Sequence, residues 1–173
     1  VERVVAPTLD ELVKIGRPYS GFLYPGLMVT EGMRPYVLEF NVRLGDPETQ
    51  VLMRLLASDL FELLSACTEG IPSQCRMEWH PGFAVCVVLA SGGYPGPYQK
   101  GHLITGIEAA EKVPSVVVFH AGTVLEGTEL RTAGGRVLHV TATGNSLLEA
   151  RGRAYDAVRC IKFEGMQYRK DIG

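Results

Sequence analysis

No cluster of lysines and arginines longer than the pair Arg169-Lys170 occurs in this chain, and no apolar run is long enough to cross a bilayer. The first absence leaves no basic stripe for a nucleic-acid backbone, and 17 basic against 19 acidic residues give a net charge of −2. The opening residues, VERVVAPTLDE, carry no signal-peptide pattern either. Cys67, Cys75, Cys86 and Cys160 form no CxxC pair. His80, His102, His120 and His139 are too scattered for zinc-ligand spacing. Trp79, Tyr94 and Tyr98 have no interleaved basic residues that would suit base stacking. These absences predict a reduced, cytoplasmic protein with incidental thiols, and neither nucleic acid nor membrane as a partner.

What is present can build a core. The chain has 173 residues, 46% of them apolar, enough for one good-sized domain or two small ones. It begins at Val1 rather than an initiator methionine, which reads as a piece of something longer. Leu9, Leu12, Val13 and Ile15 predict a helix over about 8–15. The stretch 20–43 reads as two strands joined by a turn near Glu31-Gly32. Asp46-Pro47-Glu48 reads as a helix start, with Asp46 as N-cap, and the apolar stripe from Val51 to Leu64 carries one helix to about Cys67. After Thr68 the composition shifts to Gly, Pro, Ser and Gln. From Phe83 onward, FAVCVVLAS and SVVVFHAG read as strands, and TELRTAGGRVLHVTAT as a hairpin turning at Gly134-Gly135. A final helix over about 146–160 takes Asn145 as its N-cap. The fold class expected is α+β in two pieces: residues 1–70, a connector over 71–82, and a small antiparallel β domain with a covering helix over 83–173.

The strand read over 36–44 carries the chemistry. With a period of two, Tyr36, Leu38, Phe40, Val42 and Leu44 share one face, while Val37, Glu39, Asn41 and Arg43 share the other. Glu39 and Asn41 project in parallel as two hard oxygen donors, and a magnesium ion bridging to phosphates needs only one or two protein oxygens. Arg43 follows on the same face, with a planar fork that suits phosphate or carboxylate. Gly45 lets backbone approach a ligand, and the helix start beyond it offers a positive dipole end. The bland alternative is a solvated sheet face with a cross-strand ion pair.

The stretch Val37–Gln50 (VLEFNVRLGDPETQ) resembles the signature of the phosphoribosylamine–glycine ligase family within the ATP-grasp superfamily. The resemblance continues through Tyr19–Met28, Ser58–Leu60, Gly92–Gly96 with Lys100-Gly101, Phe119–Thr123, Gly134–Leu138 and Tyr168–Gly173, in the family's order. Val42 and Leu44 depart from its common cysteine and phenylalanine without removing a ligand or a charge. The resemblance implies that residues 1–70 are the C-terminal part of an ATP-grasp domain, preceded by an N-terminal domain and the nucleotide-gripping segments. It implies ATP-dependent ligation of glycine to 5-phosphoribosylamine through a glycyl phosphate, with ATP as co-substrate. It makes Glu39 and Asn41 the Mg2+ or Mn2+ ligands, Arg43 the catalytic cation, and Gly45, Asp46, Pro47 and Glu48 the shapers of the phosphoribosylamine pocket. The partners implied are glycine, 5-phosphoribosylamine, ATP and the remaining portions of the enzyme. A reading of another class is a non-catalytic truncated module that retains its fold for assembly or binding.

Other motifs read as structural. The GGYPG loop lacks the Gly-Lys-Ser/Thr ending of a P-loop and reads as a turn. His120 has no partner carboxylate at motif spacing and reads as a satisfied structural residue.

Overall fold

Runs of β-branched residues become strands and alanine- or leucine-rich stripes become helices, in a computed structural model that describes all residues Val1–Gly173. In chain order the elements are α1 (Val5–Lys14), β1 (Tyr24–Val29), β2 (Pro35–Asn41), α2 (Glu48–Leu55), α3 (Leu60–Thr68), β3 (Phe83–Ala90), α4 (Ile107–Ala110), β4 (Val116–His120), β5 (Thr123–Glu126), β6 (Glu129–Thr132), β7 (Arg136–Gly144) and α5 (Leu147–Cys160). The fold is α+β with antiparallel sheets. Two compact units divide it: Val1–Asp46 with Leu56–Trp79, and Pro47–Leu55 with His80–Gly173.

In the first unit β1 and β2 form a two-stranded antiparallel sheet. The single helix expected from Asp46 to Cys67 is instead two, because the backbone between them is committed elsewhere. Ala57 donates to the Glu78 carbonyl at 2.9 Å, Leu56 bridges to Trp79, and the Ser58 hydroxyl accepts from Glu78 N at 2.7 Å. Asp59 then caps α3, its carboxylate accepting from Phe61 N at 2.7 Å and Glu62 N at 3.3 Å. Ser-Asp followed by Glu62 is a helix-start signal in the sequence, masked there by the continuous leucine stripe. Replacing Asp59 with Ala should cost about 1 kcal/mol. Hydrogen exchange of the Phe61 and Glu62 amides checks this, and protection as in the native chain would contradict it.

The second unit has its core in a three-stranded sheet of order β3-β7-β4, with β7 central. Val87, Leu89, Leu138, Val140 and Ala142 are fully buried, and α5 meets this apolar cluster with Ala150, Ala154, Ala157 and Val158. Alanines at that helical spacing let the helix come close to the sheet. His139 and Thr141 alternate with this set along β7 and are equally buried. Helix α2 packs on β3 and β7, and its Gln50 Oε1 and Arg54 Nε are shut off from solvent. The N-cap of α5 is Ser146 rather than Asn145: its hydroxyl accepts from Glu149 N at 3.1 Å, while the Glu149 carboxylate reaches back to Asn145 N at 2.6 Å.

The hairpin expected at Gly134-Gly135 does not form. Strand β6 pairs with β5 across Gly127-Thr128, whereas β7 is taken by β3 and β4. Gly134 and Gly135 instead serve as acceptors for Ser91, from its hydroxyl to the Gly134 carbonyl at 2.8 Å and from its amide to the Gly135 carbonyl at 2.8 Å. The Tyr94 ring lies against Gly135, so the GGYPG turn is seated on this glycine pair. The last residues are strapped to α5. Tyr155 hydroxyl donates to the Arg169 carbonyl at 2.9 Å and accepts from Ile172 N at 3.0 Å, while Arg151 Nε donates to the Ile172 carbonyl at 3.1 Å.

Candidate functional site

The ladder between β1 and β2 places Tyr24 opposite Asn41, Pro25 opposite Phe40 and Gly26 opposite Glu39; the next pair is Leu27 with Val37. Leu38 is therefore an extra residue, a bulge, and it inverts the alternation on its N-terminal side. The expected faces are corrected accordingly. Phe40 and Val37 now share one face with Pro25 and Leu27, and a groove lined by Pro7, Leu12, Ile15, Val37 and Phe40 runs between α1 and β2. Glu39 and Asn41 share the other face, together with Tyr36.

The apolar face expected from Tyr36, Leu38, Phe40, Val42 and Leu44 does not exist as a unit. Leu38 leaves the ladder and is 66% exposed; Val42 lies past the strand end and is 65% exposed. The strand ends at Asn41 rather than Leu44, so Arg43 sits on a bend and not on the ladder. Its Nη1 donates to the Leu44 carbonyl at 3.2 Å.

Of the candidate residues, the structure brings Glu39 and Asn41 together directly: Asn41 Nδ2 donates to Glu39 Oε1 at 3.0 Å. Glu39 is exposed and Asn41 half-buried. Gly45 is buried, Asp46-Pro47 form a turn, and α2 begins at Glu48, one residue later than expected. The division between the compact units falls between Asp46 and Pro47, so Gly45 and Asp46 belong to the first and Pro47 and Glu48 to the second. No three His, Cys, Asp or Glu side chains gather elsewhere into a metal-binding group. His120 has its partner in Thr123, with Nδ1 3.1 Å from the hydroxyl oxygen.

Two residues near this strand escaped sequence reasoning about chemistry. Gly26 faces Glu39, and a Cβ built on it would stand 3.1 Å from Glu39 Cγ. Tyr19 donates its hydroxyl to the Phe22 carbonyl at 2.6 Å and lies 3.4 Å from the Val42 carbonyl, just before Arg43. Both belong to the stretch Tyr19–Met28, but a glycine and a tyrosine in a strand segment carry no chemical signal until the register is known.

Comparison with known proteins places the architecture first. The biotin carboxylase subunit of pyruvate carboxylase, 15% identical, superposes with a TM-score of 0.62 over 96% of this chain and 37% of its own, which shows the fold alone. A family model for the ATP-grasp (A) domain of phosphoribosylglycinamide synthetase matches residues 1–49, so the class is ATP-grasp. The model for the C domain of the same synthetase matches residues 84–173. The chain belongs to the phosphoribosylglycinamide synthetase family. The phosphoribosylamine–glycine ligase of Synechocystis sp. is 50% identical over 99% of this chain and 41% of its own length. A crystal structure of phosphoribosylamine–glycine ligase from Thermotoga maritima is 42% identical, with a TM-score of 0.79 over 99% of this chain and 42% of that one. The chain thus spans about two-fifths of the length of these relatives. Every candidate residue from Glu39 to Glu48 lies within the ATP-grasp match.

Proposed function

We propose that this chain supplies the metal-holding strand and part of the substrate pocket of a ligase that joins glycine to 5-phosphoribosylamine at the expense of ATP. The single observation that carries the reading is the Glu39–Asn41 pair, side by side on β2 within the ATP-grasp match and followed by Arg43. Residues 1–70 would be the C-terminal part of the ATP-grasp domain, 71–82 a connector and 83–173 the C-terminal domain. The remaining portions of the enzyme would complete the site.

The reaction conserves every group. A glycine carboxylate oxygen attacks the γ-phosphorus of ATP and ADP leaves; the ribosylamine nitrogen then attacks the acyl carbon and phosphate leaves. The products are glycinamide ribonucleotide, ADP and phosphate, with one proton lost from the amine. Such chemistry asks the protein for positioning and charge neutralisation. A divalent cation, Mg2+ or Mn2+, supplies that neutralisation when bound, and the residues present fit one. Glu39 offers a carboxylate, and a half-turn of the Asn41 amide exchanges Nδ2 for Oδ1 beside it, giving two hard oxygens on one face. Arg43, one bend past the strand, would hold oxygens of the transferring phosphoryl group and of the acyl phosphate. Gly45, Asp46, Pro47 and Glu48 would shape the seat of phosphoribosylamine. We assign the reaction to the cytoplasm, where the four free cysteines stay reduced.

The test uses the full-length ligase that carries this chain. ADP release should require ATP, glycine and 5-phosphoribosylamine together, and ADP release indifferent to glycine would overturn the reading. Arg43→Lys keeps the charge but loses the fork, so kcat should fall about tenfold while the KM for ATP stays within about twofold. An ATP KM that rises with kcat unchanged would place Arg43 on the nucleotide instead.

A further inference from the structure

The floor beneath the Glu39 side chain is a missing side chain. Gly26 is the cross-strand partner of Glu39, and its φ is ordinary for any residue, so no backbone demand selects glycine there. What selects it is space: a Cβ on Gly26 would come within 3.1 Å of Glu39 Cγ, a distance at which the glutamate stem has to move by a few tenths of an ångström. With no Cβ on Gly26 the Glu39 stem keeps the space next to that glycine, and its carboxylate accepts from Asn41 Nδ2 at 3.0 Å. The bulge at Leu38 follows immediately, and it sets Val37 and Phe40 on the groove side while Glu39 and Asn41 keep the opposite face.

We infer that Gly26 is a positioning residue for the Glu39–Asn41 oxygen pair, acting by leaving the volume in which the Glu39 stem rests. The inference rests on the proposal that this pair holds a divalent cation. Its consequence is specific. A Cβ at Gly26 moves the carboxylate away from Asn41 without touching the charge of either residue, and octahedral coordination tolerates such displacement badly. A purely structural glycine in a strand would leave the cation affinity of the pair unchanged on substitution by alanine, whatever happened to stability.

The experiment is Mn2+ titration of the full-length ligase holding ADP, read from the electron paramagnetic resonance signal of free Mn2+, with a thermal melt of each variant. Glu39→Gln should weaken Mn2+ binding at least about tenfold through loss of the charged ligand. Gly26→Ala and Gly26→Ser should each weaken it about fivefold, with melting temperature unchanged or raised. If Glu39→Gln binds Mn2+ as the native enzyme does, the metal reading falls and the Gly26 inference falls with it. If Glu39→Gln weakens binding but both Gly26 variants bind normally, the metal reading stands and the inference about Gly26 is overturned. Loss of stability in the Gly26 variants with Mn2+ affinity per folded molecule unchanged overturns it as well.

Discussion

Glu39→Gln in the full-length ligase should lower kcat/KM at limiting magnesium by about a hundredfold or more, with the loss partly recovered as the metal concentration rises. The substitution keeps the size of the side chain and one oxygen, and it removes the charge. Magnesium is held by charge on hard oxygens, so a neutral amide beside Asn41 leaves a weak pair where a carboxylate and an amide stood. Folding should barely register the change, by no more than about 1 kcal/mol, because Glu39 is exposed and its stem rests on a glycine. Turnover at limiting magnesium equal to that of the native enzyme would show that β2 holds no cation. A large loss of stability with turnover per folded molecule unchanged would return Glu39 to the role of a polar residue on a solvated sheet face.

The largest structural effect is expected at Gly106→Ala, a loss of at least about 3 kcal/mol from the second unit. Gly106 has φ +87, in the left-handed region, and it is the N-cap of α4. A Cβ there would fall on the Cys160 carbonyl and come 3.3 Å from Ile161 Cα. Neither side can retreat. Thr105 and Lys162 exchange two backbone hydrogen bonds of 3.0 Å each, which clamp the two segments together next to the glycine. Ala110 and Ile161, both buried in the core, hold the flanks. Gly127→Ala is the control, since Gly127 has φ +63 in the β5–β6 turn but nothing within 4 Å of the added Cβ. It should cost about 1 kcal/mol, the conformational strain alone. Denaturant melts of the two variants measure the difference, and equal midpoints would mean that backbone strain, not the collision with Cys160, governs Gly106.

The sequence was most legible where one face is fully buried and the partner of each strand does not alter its side-chain period. The runs around Val85–Leu89 and Val116–His120 become β3 and β4 as expected; in α5, Ala154 and Val158 reach the core and Tyr155 packs against it, whereas Leu147 and Leu148, apolar at the helix start, stay exposed. The pairing of Glu39 with Asn41 was legible for the same reason, since two residues apart on a strand share a face whatever happens beyond them. What failed were decisions made by partners distant in sequence. The bulge at Leu38 is created by the register against Gly26 and Leu27, which no pattern within β2 reveals. Arg43 was expected on the same face by simple extrapolation, but β1 runs out of partners at Tyr24 and the strand stops with it. Gly134-Gly135 has the chemistry of a turn, yet β7 pairs with β3 and β4, whose Val85, Val87, Val116 and Val118 join its own valines in the core, while β6 forms a separate ladder with β5. The break between α2 and α3 was overridden in reading by a leucine stripe that continues across it, although Asp59 and Glu62 marked the new start. Helix α2 likewise belongs with the sheet of the second unit, although the family match to the ATP-grasp domain extends through its first two residues.

The most direct measurement of the central claim is a crystal structure of the full-length ligase with Mn2+ and a non-hydrolysable ATP analogue, with data collected for the anomalous signal of manganese. The account predicts a manganese peak within about 2.5 Å of both a Glu39 carboxylate oxygen and Asn41 Oδ1, bridged on its other side to the analogue's phosphates. Manganese peaks that all lie away from Glu39 and Asn41, with the analogue's phosphates in place, would contradict it.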